Sequence, residues 1–260
     1  MQIVRDKIRE TFQNYVEAYD DSQDKIRLKI GHTYKVADNS DRICESLNMS
    51  EEEKDIAWLI AMLHDIGRFE QLRRFNTFVD SESIDHARFG ADLLFREENP
   101  LIRGFITDET EDSVIETAVR WHSAFAIPED LDERTARFCN IIRDADKIDI
   151  YRVNIQYPME SIYNTDTETL HKSQINEEAF QASLEHNTIL RELRRQPIDH
   201  VVGHISLIYG MVYPESLRLV EEQGYMAQLM QFQSWDQETQ KRYEEVCSEA
   251  LKWIEERKKK

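Results

Sequence analysis

Apolar residues recur at three- and four-residue spacing along nearly the whole chain, and no stretch alternates strictly, so the pattern predicts helices and no sheet. Ile3, Ile8, Phe12, Tyr15, Val16 and Tyr19 form the stripe of a first helix over residues 1 to 20. A second runs from about Lys25 to Leu47, with His32 on the face of Leu28 and Val36. Ser50 followed by Glu53 has the form of a capping box, and the unbroken apolar run Ile56 to Leu63 makes the third helix a core element. Gly67 is expected to end it. Residues 68–85 are rich in polar and turn-forming types and read as a loop over a pocket mouth. Helices follow from His86, where Ala87, Gly90 and Ala91 permit close packing, and over 111–123 and 132–152. The Asn-, Thr- and Ser-rich stretch 154–176 reads as a long ordered loop or lid, and helices return at 177–196, about 200–222 and 236–257. The expected architecture is all-α: a helical core over 1–153, and a lid segment with a C-terminal helical extension over 154–260, packed on the same domain.

Composition narrows the function. The 260 residues include only 7 Gly and 5 Pro, which suits a helical protein with a full core. A net charge of -18 repels a nucleic-acid backbone and argues against DNA or RNA polymers as partners. A small phosphorylated substrate stays compatible, because local cations set the potential inside a pocket. Cys44, Cys139 and Cys247 are odd in number, lack CxxC spacing and lie among apolar neighbours, which predicts buried reduced thiols. The opening MQIVRDKIRETF has no apolar signal core, and no run approaches the roughly 20 apolar residues of a membrane span, so a cytoplasmic protein away from membranes is expected. The terminal lysines read as a solvated tail, and the first helix or the extension offers a surface for a homodimer.

The chemistry concentrates at His64-Asp65, delivered by the apolar run to the edge of a buried core, where polar groups must be paired or hold a metal. His32, His86, His122 and Asp146 lie in or beside other helical segments, and these six residues are enough for two metal ions. Mixed imidazole and carboxylate donors favour transition metals, with Fe or Mn foremost and Zn, Co or Ni as alternatives, over Ca or Mg. The two oxygens of Asp65 are able to bridge a pair of ions.

The order His32, His64-Asp65, Asp146, with the words HDIGR and DADKID, resembles the signature of the HD-domain superfamily of metal-dependent phosphohydrolases, over roughly residues 25–152. His86 and His122 resemble the extra histidines of its dinuclear branches. The resemblance implies His32, His64, Asp65 and Asp146 on one ion, Asp65, His86 and His122 on the other, and a metal-bridging hydroxide that attacks a phosphate ester or anhydride of a nucleotide or sugar phosphate. It also implies two alternatives: a diiron oxygenase related to inositol oxygenase, and a non-catalytic ligand-sensing protein. The GYP motif and double histidine of cyclic-di-GMP enzymes and the HDxxED word of alarmone hydrolases are missing. Arg68 and Lys147 are the candidates for contacting phosphate and assisting catalysis, against the simpler reading of structural salt bridges. His200 and His204 have the spacing of a metal pair but read as packing residues, and His171 and His186 as solvated. Arg191, Arg194 and Arg195 read as a solvated helix face, with a phosphate clamp as the alternative.

Overall fold

The structure is a computed structural model that describes residues 3–20, 22–96 and 98–258, with Ser161 described by its backbone alone. Met1 and Gln2 of the predicted first helix and the last two lysines of the tail lie outside the described residues. Among the described residues every regular element is a helix, and none is long and apolar enough to cross a membrane. The chain divides into two compact units, Met1–Asp146 and Lys147–Lys260.

The first unit holds α1 (Arg5–Val16), α2 (Asp24–Ser46), α3 (Glu51–Leu63), α4 (Ile66–Phe75), α5 (His86–Phe95), α6 (Ile102–Phe105), α7 (Asp112–Trp121) and the first part of α8 (Glu133–Gln156). Its centre is α3, where every residue from Ile56 to Leu63 is buried. Such a helix is apolar all round and needs neighbours on several sides; α2, α7 and α1 supply them. Ser50 caps α3 by accepting from the Glu53 amide.

Residues 68–85 are not one loop. Ile66, Phe69 and Leu72 bury one face of α4, while Arg73 and Arg74 turn outward onto Glu70, so the polar residues decorate a helix. Asn76, left-handed at φ 54°, ends it. Gly67 therefore does not terminate α3 but lies inside α4, where it lets α5 approach. A Cβ there would fall 2.6 Å from the His86 carbonyl oxygen and 2.8 Å from the Gly90 nitrogen.

The second unit holds the rest of α8 and α9 (Met159–Tyr163), α10 (Thr167–Lys172), α11 (Glu177–Leu184), α12 (Pro197–Ile205), α13 (Pro214–Gln223), α14 (Tyr225–Leu229) and α15 (Gln237–Arg257). Residues 154–176, expected as a loop, contain α9 and α10; Asp166 caps α10 by accepting from the Thr169 amide, a local signal that compensates for weak apolar periodicity. α12 is buried along Ile198, Val201, Val202 and Ile205 and packs on α10, α11 and α15. His171 and His186 are not merely solvated: the first stacks on Phe232 and Trp235, the second packs on Tyr209 and Trp253. All three cysteines are free and buried.

The backbone contact at Gly67 yields a stability prediction. Gly67→Ala pushes against immovable backbone and is expected to destabilise the protein by about 1–3 kcal/mol in urea unfolding. Gly90→Ala, whose Cβ would meet the Gly67 nitrogen at 3.2 Å, is expected to cost less. Equal tolerance of both would contradict this account of the α4–α5 approach.

Candidate metal centre

Helix ends place the key side chains. His64 and His122 are the C-cap residues of α3 and α7. The last carbonyls of a helix have no partner within it, and each imidazole takes one: His64 Nδ1 lies 2.7 Å from the Ala61 oxygen and His122 Nδ1 2.7 Å from the Val119 oxygen. Asp65 is the hinge residue between α3 and α4, with φ -102° and ψ 15°. His86 is the first residue of α5, whose N-cap Asp85 accepts from the Ala87 and Arg88 amides. His32 and Asp146 come from within α2 and α8.

The six residues converge. His32 Nε2 lies 3.0 Å from Asp146 Oδ1 and 3.4 Å from His64 Nε2. His86 Nε2 lies 3.2 Å from His122 Nε2. Asp65 stands between the two sets: its Oδ2 is 3.6 Å from His64 Nε2 and 3.7 Å from His32 Nε2, and its Oδ1 is 3.4 Å from His86 Nε2 and 3.7 Å from His122 Nε2. His32, His64, Asp65, His86 and His122 are each at most 3% exposed. Donor atoms of His32, His64 and Asp146, and of His64, Asp65 and His122, are close enough for each trio to hold an ion.

Tautomers decide whether ions fit this cluster. A carbonyl oxygen only accepts, so the Nδ1 atoms of His64 and His122 carry the protons. His86 Nδ1 likewise donates to Asp80 Oδ2, 2.8 Å away. The Nε2 atoms of these three rings are then bare lone pairs, and those of His86 and His122 face each other with no proton between them. A shared cation resolves that repulsion. Bonds of about 2.1 Å place neighbouring ligands roughly 3.0–3.4 Å apart, close to the separations seen here. Divalent transition metals therefore fit the residues present.

Charge states agree with a ligand role. Burial pushes His64 down to about 3 and His86 down to about 4, so both rings are neutral at pH 7. Burial alone would raise Asp65, but the Lys29 ammonium foremost, with Arg68, holds its carboxyl well below the usual range. Asp146 is likewise lowered against its burial by the His32 hydrogen bond.

Three contributors escaped sequence reasoning. Lys29, one turn before His32 on α2, places its Nζ 2.5 Å from Asp65 Oδ2; helical spacing from His32 would have found it. Asp80 orients His86, a carboxylate–histidine arrangement that fixes ring and tautomer. Gln71 donates to Asp80 Oδ1, Ser83 Oγ and the Ile84 oxygen, and so pins the segment before α5. Neither Asp80 nor Gln71 has a local sequence signature.

The two predicted phosphate contacts stand differently. Arg68 directs Nη1 to Gln71, the Phe78 carbonyl and Asp80, while its buried Nε makes no hydrogen bond and lies 3.5 Å from Asp65 Oδ1. The Phe78 ring lies 5.6 Å from both the Lys29 ammonium and the Arg68 guanidinium. Lys147, next to Asp146 in sequence, belongs to the second unit, and its ammonium donates to the Gly210 oxygen at 2.5 Å.

These charge states set an acid limit on the metal-free protein. His64 and His86 fold with pKa values below the ordinary 6.5, so the unfolded chain binds more protons between about 6.5 and 3–4. Stability should fall as pH drops through that window, by up to about 1.4 kcal/mol per pH unit for each histidine. Urea unfolding of chelator-treated protein from pH 7 to 4 checks this. His64→Gln should flatten the slope, and an unchanged slope would count against a buried neutral His64.

Residues 30–151 match the family model of the HD domain, a span that takes in all six clustered residues. Comparison with curated proteins and with solved structures gives no match. Residues 30–151 therefore form an HD domain, a type found in metal-dependent hydrolases.

Proposed function

We propose that this HD domain is a metal-dependent phosphohydrolase that cleaves a phosphate ester or anhydride of a small molecule, a nucleotide or sugar phosphate. His32, His64, Asp65 and Asp146 would hold one divalent transition-metal ion, and Asp65, His86 and His122 a second, with Fe or Mn the leading candidates. The observation that carries this reading is Asp65: one carboxylate oxygen faces His32 and His64 while the other faces His86 and His122. A pair of such ions, when bound, supplies Lewis acidity that activates water near neutral pH and draws charge from a phosphoryl group.

The chain's own residues do the rest. Ala61, Val119 and Asp80 hold three imidazoles in the tautomer that presents Nε2 inward, so no reorganisation is required of them. Lys29 brings a permanent positive charge to the edge of the cluster, where a non-bridging phosphoryl oxygen would be received. Arg68 anchors the segment around Phe78 and keeps the cation pair together. Lys29 thus takes the phosphate-contacting part, since the Lys147 ammonium is committed to Gly210.

The test is phosphate release from a panel of nucleotides and sugar phosphates under anaerobic conditions with added Mn or Fe. Turnover is expected without oxygen and should vanish in Asp65→Ala. Lys29→Gln should lower kcat/KM roughly ten- to a hundredfold at saturating metal, the loss of a charged hydrogen bond. A requirement for oxygen would replace this reading with the oxygenase, and two bound ions without turnover of any compound would favour ligand sensing.

A further inference from the structure

We infer that the second unit carries an anion site of its own, independent of metal, in which Arg194, His200 and His204 take the phosphate or carboxylate group of a small molecule.

Arg194 follows the short 3-10 turn Arg191–Leu193 and lays its guanidinium against α12 at Gly203. A Cβ at residue 203 would come 2.5 Å from Nε and 2.8 Å from Cζ, so only glycine leaves room for the group. Nη2 donates to the Ile189 oxygen at 3.0 Å, while Nε is shut off from solvent and has no hydrogen-bond partner. In a chain of net charge -18 a guanidinium normally finds a carboxylate. In the same unit Arg195 pairs with Glu178, and Arg242 with Glu177. Among the described residues none is in ion-pair contact with Arg194. Burial draws its pKa down to about 10, which still leaves it charged at pH 7. A part-buried guanidinium whose Nε meets neither water nor an acceptor, and which has no counter-ion, carries a cost, and an oxyanion bound at the group offsets it.

Two imidazoles complete the cluster. His200 and His204 lie one turn apart on α12, with Gly203 between them in sequence, and burial first and then the Arg194 charge lower both imidazoles. The Tyr163 hydroxyl donates to Asn154 Oδ1 at 2.9 Å, so its oxygen is free to accept from His204 Nδ1, 3.3 Å away. That bond puts the His204 proton on Nδ1 and leaves Nε2 as a bare lone pair, which accepts from the hydroxyl of a monohydrogen phosphate. The acid nearest in sequence, Asp199, is spent on the Asn176 and Gln196 amides. A guanidinium beside two neutral imidazoles, with Asp199 already spent, matches a protonated oxyanion such as monohydrogen phosphate better than a cation.

The experiment is calorimetric titration of the full chain with inorganic phosphate and, separately, acetate, in an Asp65→Asn background treated with chelator so that the metal centre takes no part. Saturable one-to-one binding is expected, weakened at least tenfold by Arg194→Gln and measurably by His200→Gln, with Arg242→Gln, whose guanidinium pairs with Glu177, neutral. Tighter binding of phosphate assigns a phosphorylated ligand, and tighter binding of acetate a carboxylate. His200 is only part-buried, so its variant serves if Arg194→Gln does not fold. Absence of saturable binding for both anions, or binding indifferent to the substitutions, overturns the proposal and leaves Arg194 as a tie to the Ile189 carbonyl. Neither result bears on hydrolysis at the metal centre.

Discussion

The first unit is organised around one carboxylate. Asp65 is buried, yet its charge is retained because Lys29 stands at one of its oxygens and Arg68 at the other. An isolated buried carboxylate would be neutralised by taking up a proton. A protonated Asp65 could not serve two ions at once, so the Lys29 contact underlies every role assigned to the centre.

Helix termination is the second ordering device. Where α3 and α7 stop, carbonyls become available just as a histidine arrives, and each histidine reaches back three residues to use one. The same act satisfies a backbone acceptor and selects which ring nitrogen faces inward. This gives a physical reason for a histidine–aspartate pair at a helix end: histidine caps the helix that finishes, and aspartate turns the chain into the next. The glycine two residues later admits the backbone of α5, and with it His86.

Much of this was legible in the sequence because it rests on local patterns. The apolar run Ile56 to Leu63 announced a buried helix, and the structure brings together the six histidine and aspartate side chains singled out at helix positions. What escaped depends on tertiary contact. Gly67 looks like a helix stop to any rule based on neighbours, whereas its small size serves an approach to a helix some twenty residues away. Residues 68–85 looked too polar for helix because their outward charges hid the buried Ile66, Phe69 and Leu72. Asp80 and Gln71 act through side chains whose partners are far along the chain, and Arg194 looked like a member of a solvated face because the opening at Gly203 has no signature before folding.

The centre also constrains how the first unit is stabilised. Neutral imidazoles with opposed lone pairs contribute repulsion to the metal-free fold, and that cost falls on the surrounding core. α3, buried along eight consecutive residues, and the backbone contact between α4 and α5 are where compensation resides. An ion that binds the folded cluster and not the unfolded chain adds its binding free energy to stability. On the proposed metal-binding reading, folding and metal loading would be two sides of one equilibrium, and Asp80 and Gly67, which rigidify the cluster, would act on affinity through the fold rather than through contact with an ion.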